Sequence, residues 1–476
     1  MNRIQSILAV VAMTVAASAG AQTLKMAPQV VGVTTYEAST TVNLVVVKPE
    51  IKLDNLDPSV FTVNTNGTER NVLSAYPSDA RGAYDPDGKY VALGLEKASG
   101  RGLGLSIRSG VWNEAYSLKV GLKKGKVLKV GKQKFTAIDC ETDKALKDFL
   151  SEADYFNKGT FTGRNTGKSG DVTLTYAAYE PWSLKGDGKE NPLVIWLHGG
   201  GEGGLDVSIT LLGNEVVSLI RPEIQSHFTT EGGAGGAYVL SVQCPTMWMG
   251  TSKGFGHGEY PSLYADVLKS CIDDYVDRHP DVDRKRIYLG GCSNGGYMTI
   301  NMLVNYPDYW AAAYPNCEAY AFYTFEELQG DATAMGGSIK YGPSDVRWMT
   351  DEKIEAIKDI PIWFAQSADD TIVVPTNFAF PTYQALLKAG AKNAWFSLFE
   401  TVNGTDDPTA QYMGHWVWCY LFNNQITAVQ DPAAIVDATD ESFGFVASNA
   451  GGGSKTAEVD GVTYDNIFAW MNAQSK

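Results

Sequence analysis

An α/β fold on a mainly parallel sheet, preceded by a small β-sandwich, is predicted by three observations. From Thr23 to about Ala137 the chain reads as short strands separated by turns, and beyond residue 160 strands alternate with helical runs. Third, the apolar run Ile287–Leu289 stops at Gly290-Gly-Cys-Ser-Asn-Gly-Gly296, from which a helix-compatible run starts at Tyr297.

Residues 1–21 have the pattern of an export leader: Arg3, an apolar segment from Ile7 to Ala17, then Ala19-Gly20-Ala21 ahead of Gln22. The mature chain is therefore expected to be secreted or periplasmic. No cysteine stands at the cleavage point, so no lipid anchor is expected. The apolar segment is too short to span a bilayer, and no later stretch is long enough for a membrane anchor.

Residues 22–137 are expected to form an Ig-like β-sandwich domain. Its strands are Thr41–Val47, Val60–Val63, Tyr90–Leu95, Leu103–Ile107 and Tyr116–Leu122. Asn66-Gly67, Asp85-Pro-Asp-Gly88 and Lys124-Gly125 supply turns between them. The Asp85–Gly88 segment lacks the other ligands of a calcium loop and reads as a turn. Lysines 119, 123, 124, 126, 129, 132 and 134 suit the solvated face of edge strands.

A charged, helical connection is expected over 138–160, and a catalytic domain over 161–476. Leu174–Tyr179 and Leu193–Leu197 read as strands, the second an unbroken apolar run suited to a buried central position. His198-Gly-Gly-Gly-Glu-Gly-Gly204 follows it at once. Next come a helix over Ile209–Ile220, a strand Tyr238–Val242 and a helix over Ser262–Arg278. Beyond the Ser293 turn, strands are expected at Trp310–Tyr314, Ile362–Ala365 and Trp395–Glu400, with a helix over Tyr383–Lys388. This order is the plan of an α/β-hydrolase fold.

Composition narrows the function. The chain has 476 residues, of which 44% are hydrophobic and 20% charged, so a large core is available. A formal net charge of −15 argues against nucleic acid and anionic membranes as partners. Six cysteines are too few for a disulfide framework at this length, although one or two bridges would be compatible with export. No C-x-x-C occurs and the five histidines are scattered, so neither metal nor organic cofactor is expected.

Gly291-Cys-Ser-Asn-Gly295 fits the G-x-S-x-G turn that lifts a serine hydroxyl to the start of a helix. Such a serine needs an acid and then a histidine later in the chain. The acid should follow the strand ending at Ala365, where Asp369 and Asp370 are adjacent; Asp370, directly before Thr-Ile-Val, is preferred. His415 is the one histidine beyond it and is the expected base. Backbone N–H groups of Asn294 and of Gly200 or Gly201 are the candidate oxyanion hole. His198 is read as a structural residue of that loop. Trp248, Glu318 and Trp416 are weaker candidates for the acyl pocket, each as compatible with core packing.

Leu197–Gly204, Gln243-Cys-Pro-Thr246, Gly290–Met298 and Met413-Gly-His-Trp416 together resemble secreted bacterial esterases grouped with poly(3-hydroxybutyrate) depolymerase-like and feruloyl esterase-like α/β-hydrolases. Prolyl oligopeptidase-type peptidases are similar over the same motifs. The resemblance covers roughly residues 150–476. It implies a serine carboxylester hydrolase with Ser293, Asp370 and His415 as its triad, acting on an ester substrate, with a polymer or polysaccharide ester among the options. A peptidase, or a non-catalytic binding protein on the same fold, is the alternative. The polar, glycine-rich stretch Asn423–Asp460 departs from the pattern and reads as an insertion near the site or a loose surface loop.

Overall fold

The computed structural model describes residues 22–476 except 38, 54–55, 97–104, 107–110, 113–116, 143–148, 168–169, 330–337 and 342–345. The expected leader, most of the expected strand Leu103–Ile107 and the centre of the expected helical connection lie outside the described residues. Two compact units are present. One contains the described residues of Met1–Val31, Asn43–Glu96 and Tyr116–Asp148; the other contains those of Gly32–Val42, Lys97–Ala115 and Phe149–Lys476. The expected boundary does not separate the described residues of 32–42 and 97–115, which group with the C-terminal unit.

The first unit carries two sheets. In one, Leu128–Val130, Gln133–Asp139, Gln22–Tyr36, Ser39–Pro49, Tyr90–Leu95 and Val72–Ser78 are neighbours in that order. In the other the order is Glu141–Thr142, Leu118–Leu122, Phe61–Thr65, Thr68–Arg70. Strand Phe61–Thr65 buries alternate residues, as a half-covered sheet requires. Leu128–Val130 is an edge strand, and Lys129 pairs in register with Lys134 on the neighbouring strand, both exposed. Asp85–Gly88 is a turn, its Asp85 carboxylate accepting the Asp87 N–H at 2.9 Å.

The second unit is built on eight strands: β1 (Phe156–Arg164), β2 (Asp171–Tyr179), β3 (Asn191–Leu197), β4 (Tyr238–Gln243), β5 (Val282–Cys292), β6 (Ala312–Asn316), β7 (Ile362–Ser367) and β8 (Ala394–Phe399). Their spatial order is β1-β2-β4-β3-β5-β6-β7-β8. β1 and β2 are antiparallel, as are β2 and β4, and every later pair is parallel. The helices that matter here are α1 (Ala265–Arg278), α2 (Asn294–Asn305), α3 (Asp351–Ile357), α4 (Ala379–Lys388) and α5 (Ile467–Asn472).

Pleating divides the core between the two faces of this sheet. Leu193, Ile195 and Leu197 of β3 join one buried cluster, whereas Val194 and Trp196 join the other. Both faces of the central strands are covered, which explains their unbroken apolar runs.

Some elements differ from expectation. Residues 156–160, assigned to the helical connection, are the start of β1; its pattern is mostly polar because it is an edge strand. The expected helix Ile209–Ile220 is broken into Ser208–Leu212 and a 3-10 turn Val216–Ile220. The break centres on Glu215, whose φ is 61° and whose carboxylate accepts from Arg221 Nη1 at 2.8 Å. Helix α3 was not foreseen, although Thr350 caps it by accepting the Lys353 N–H.

The glycine-rich tail is not a loose loop. Leu398 N–H donates to the Gly452 carbonyl at 2.7 Å, and the Ser448 and Gln430 N–H groups donate to the Leu398 and Phe396 carbonyls. The segment thereby covers the open edge of β8, whose unpaired backbone would otherwise be exposed. Among the described residues, no helix is long and apolar enough to cross a membrane. All six cysteines are unpaired and buried.

Candidate active site

The candidate residues gather at the C-terminal ends of β3, β5, β6 and β7, where open parallel sheets bind ligands. Ser293 follows β5 and caps α2 with φ 55° and ψ −114°, a backbone region that side chains avoid. Its N–H donates to the Asn316 carbonyl at 3.0 Å, clipping the turn to the end of β6. The glycines on either side have a steric cause. A Cβ at Gly291 would fall 2.5 Å from the Leu197 carbonyl oxygen, and one at Gly295 would fall 2.0 Å from it. The end of β3 thus runs directly against the turn.

At the end of β7, Asp370 is buried and accepts four hydrogen bonds. The Ile372 and Val373 N–H groups reach Oδ1 at 2.8 and 2.9 Å, and Gln366 Nε2 reaches Oδ2 at 3.0 Å. The fourth is His415 Nδ1, at 2.8 Å from Oδ2. Asp369 points elsewhere: it is exposed, accepts the Ser367 hydroxyl, and lies against Gly414. The structure therefore brings Asp370, not Asp369, to the histidine.

His415 sits in the turn Gly414–Trp416, and the Thr401–Tyr412 segment before it is tied down by Glu37. This buried carboxylate accepts from the Thr405 and Asp406 N–H groups and from the Tyr412 hydroxyl. Nothing in the sequence linked Glu37 to His415, more than 370 positions away.

The loop after β3 carries Gly200 and Gly201 in a 3-10 turn, Gly200–Glu202. A Cβ at Gly200 would lie 4.0 Å from the Asn294 Cβ, so the two candidate oxyanion donors are neighbours. Asn294 is the first residue of α2, where an N–H has no partner within the helix. Its side chain accepts the Trp248 N–H at 2.6 Å, fixing the helix start. His198 holds the loop from below: its Nδ1 donates to the Gly199 carbonyl and its Nε2 accepts the Cys244 N–H. Burial pushes its pKa down to about 4, so it is neutral at ordinary pH.

Glu202 was overlooked, because a lone acid in a glycine run has no evident task in sequence. Its Oε2 accepts both the Gly199 N–H at 2.9 Å and Asn214 Nδ2 at 2.7 Å, and burial raises its pKa to about 8. It sets the conformation of the loop that carries Gly200 and Gly201. Glu202→Ala is expected to lower kcat by roughly tenfold to a hundredfold with little change in KM. Glu202→Gln, which keeps an acceptor, should retain most of the rate. Steady-state kinetics on one ester compares the three proteins, and a kcat for the Ala variant equal to wild type would remove this role.

The pocket candidates are placed differently. Trp248 is fully buried, its ring 5.1 Å from His198 and edge-on to Tyr264, and it packs rather than lines an open surface. Glu318 is buried too, its Oε2 accepting the Tyr320 N–H at 2.8 Å. Trp416 is half-buried beside Tyr412.

Burial pushes the Glu318 pKa up to about 8 from an ordinary 4.5. A carboxyl whose pKa is raised on folding stabilises the fold at low pH and loses that contribution as pH rises toward the folded value. Glu318→Gln, which cannot ionise, is therefore expected to gain on the wild type between pH 4.5 and about 8. The Tm difference should grow by at least about 2 °C over that window in thermal scans. A constant difference would show that Glu318 does not titrate this way.

Comparison with known proteins agrees with this architecture. The prolyl oligopeptidase family profile matches residues 262–400, under a third of the chain, from before α1 to the end of β8. No curated protein matches the sequence. Among solved structures, a thermostable esterase superposes with a TM-score of 0.59 at 22% identity, covering 85% of this chain and 97% of its own. A ferulic acid esterase gives 0.33 at 14% identity over 51% of this chain and 89% of its own. An acylaminoacyl peptidase of Pyrococcus horikoshii gives 0.36 at 15% identity over 81% and 58%. The chain is thus similar to the prolyl oligopeptidase family over residues 262–400, and it shares the fold of the thermostable esterase.

Proposed function

We propose that this chain is an exported serine hydrolase that cleaves carboxylic esters through an acyl-enzyme on Ser293. The observation that carries this reading is the Asp370–His415 hydrogen bond at the same sheet edge as a serine held in a strained turn. His415 Nε2 takes the Ser293 proton as Oγ attacks the ester carbonyl. The oxyanion that forms is held by the N–H groups of Asn294 and of Gly200 or Gly201. His415 then protonates the leaving alkoxide and activates water, and Asp370 stabilises the imidazolium without taking the proton. No step requires a metal or an organic cofactor.

The family match over residues 262–400 favours a second reading, a peptidase. Against it, the described residues of the N-terminal unit form two sheets and not the several four-stranded blades of a propeller. The reading of export rests on the leader pattern, and a mature N-terminus at Gln22 by N-terminal sequencing would support it.

The deciding measurement compares short p-nitrophenyl esters with a blocked glycyl-prolyl anilide. Ester turnover is expected to exceed anilide turnover by about a hundredfold or more in kcat/KM. Faster cleavage of the anilide would reverse the assignment.

A further inference from the structure

We infer that Cys317, Asp370 and His415 form a binding site for a thiophilic divalent cation of the zinc class, and that occupancy reversibly inhibits the enzyme. One ligand atom from each residue lies within 4.8 Å of the other two. All three residues are buried, at 1%, 3% and 5% exposure respectively. Tetrahedral zinc with bonds of about 2.0–2.3 Å places its ligand atoms roughly 3.5 Å apart, so small side-chain shifts bring this set into range, the hydrogen-bonded Asp370–His415 pair opening as the sulfur approaches. A sulfur, an imidazole nitrogen and a carboxylate oxygen suit zinc, whereas calcium and magnesium take oxygen alone.

Cys317 is fixed in position although acyl transfer gives it no task. It follows β6 with φ 37°, a left-handed backbone that a cysteine rarely adopts. Its N–H donates to the Ala365 carbonyl at 2.8 Å. This anchors the thiol beside the Asp370–His415 pair.

Binding balances in charge. The thiol loses its proton to solvent, and the thiolate with the Asp370 carboxylate neutralises the dication, while the neutral imidazole supplies the third ligand. A fourth, tetrahedral position is left for water. An ion held here takes both Asp370 and His415 out of the hydrogen bond that orients the base, so activity stops until the ion is removed. Coordination needs only the three side chains. Inhibition rests on the catalytic role proposed above.

Cobalt(II), added to the full chain, is the probe for coordination. The wild type should show a thiolate-to-cobalt charge-transfer band in the near ultraviolet with tetrahedral bands in the visible, and Cys317→Ala should show neither. The other five cysteines are present in both proteins and serve as the control. In parallel, zinc chloride should inhibit ester hydrolysis and a chelator should restore it. The half-inhibitory zinc concentration should rise at least about tenfold in Cys317→Ala. Cys317→Ser replaces it if the alanine variant does not fold. A wild type without the thiolate band, or equal zinc potency in both proteins, overturns the inference. A Cys317-dependent band in a protein inert towards every ester and peptide would instead retain the site and sink the hydrolase reading.

Discussion

Ser293→Ala is expected to reduce kcat on a short p-nitrophenyl ester by about a thousandfold or more, with KM nearly unchanged. The hydroxyl is the atom that forms the acyl bond, and its removal leaves no covalent route. The oxyanion donors belong to the backbone and survive the substitution, so slow, water-mediated hydrolysis should persist above the uncatalysed rate. Folding should be little affected, because the turn is shaped by the close approach of Leu197 to Gly291 and Gly295 and by the Asn316 clip. The test is a pair of initial-rate measurements with matched thermal scans. Equal rates in a folded variant would remove Ser293 as nucleophile and most of the functional reading with it.

Asp370→Asn should cost on the order of ten thousandfold in kcat at neutral pH. The reason lies in the four donors around this side chain. Oδ1 accepts two backbone N–H groups, from Ile372 and Val373, so an amide oxygen would take that position. The amide nitrogen would then face His415 Nδ1 and Gln366 Nε2, both of which now donate to Oδ2. To avoid opposing donors, the imidazole must switch tautomer, which places a proton on the nitrogen that should act as base. Asp369→Asn is the control and should change kcat by less than about threefold, since Asp369 bonds Ser367 and not the histidine. A larger loss from Asp369 than from Asp370 would exchange their roles.

Much of this site was legible because its parts are local. A strand, a G-x-S-x-G turn and a helix are contiguous in residues 282–305, and the glycines report a crowding that any such turn imposes. The Asp370–His415 pairing was foreseeable from chain order: each lies just after an apolar strand or in the last suitable loop. Between Asp369 and Asp370 the sequence offers only a preference, because adjacent loop residues point in different directions and sequence does not carry direction. Trp248 was open to either reading, pocket or core. It falls at a strand end, where ligands bind, yet its ring turns into the core between His198 and Tyr264.

The sequence by itself determined the α/β alternation, the central apolar strands, the glycine-flanked turn at Ser293 and the chain order of Ser293, Asp370 and His415, because periodicity and turn chemistry act over a few residues. Tertiary structure alone decided which aspartate meets His415, that Glu202 shapes the oxyanion loop, that Glu37 braces the segment before His415, and that the glycine-rich tail covers β8. It also placed Cys317 beside Asp370 and His415. Each of these is a contact across a large sequence separation or a choice of side-chain direction. Both are settled by the packing of the whole domain, which no local pattern of residues records.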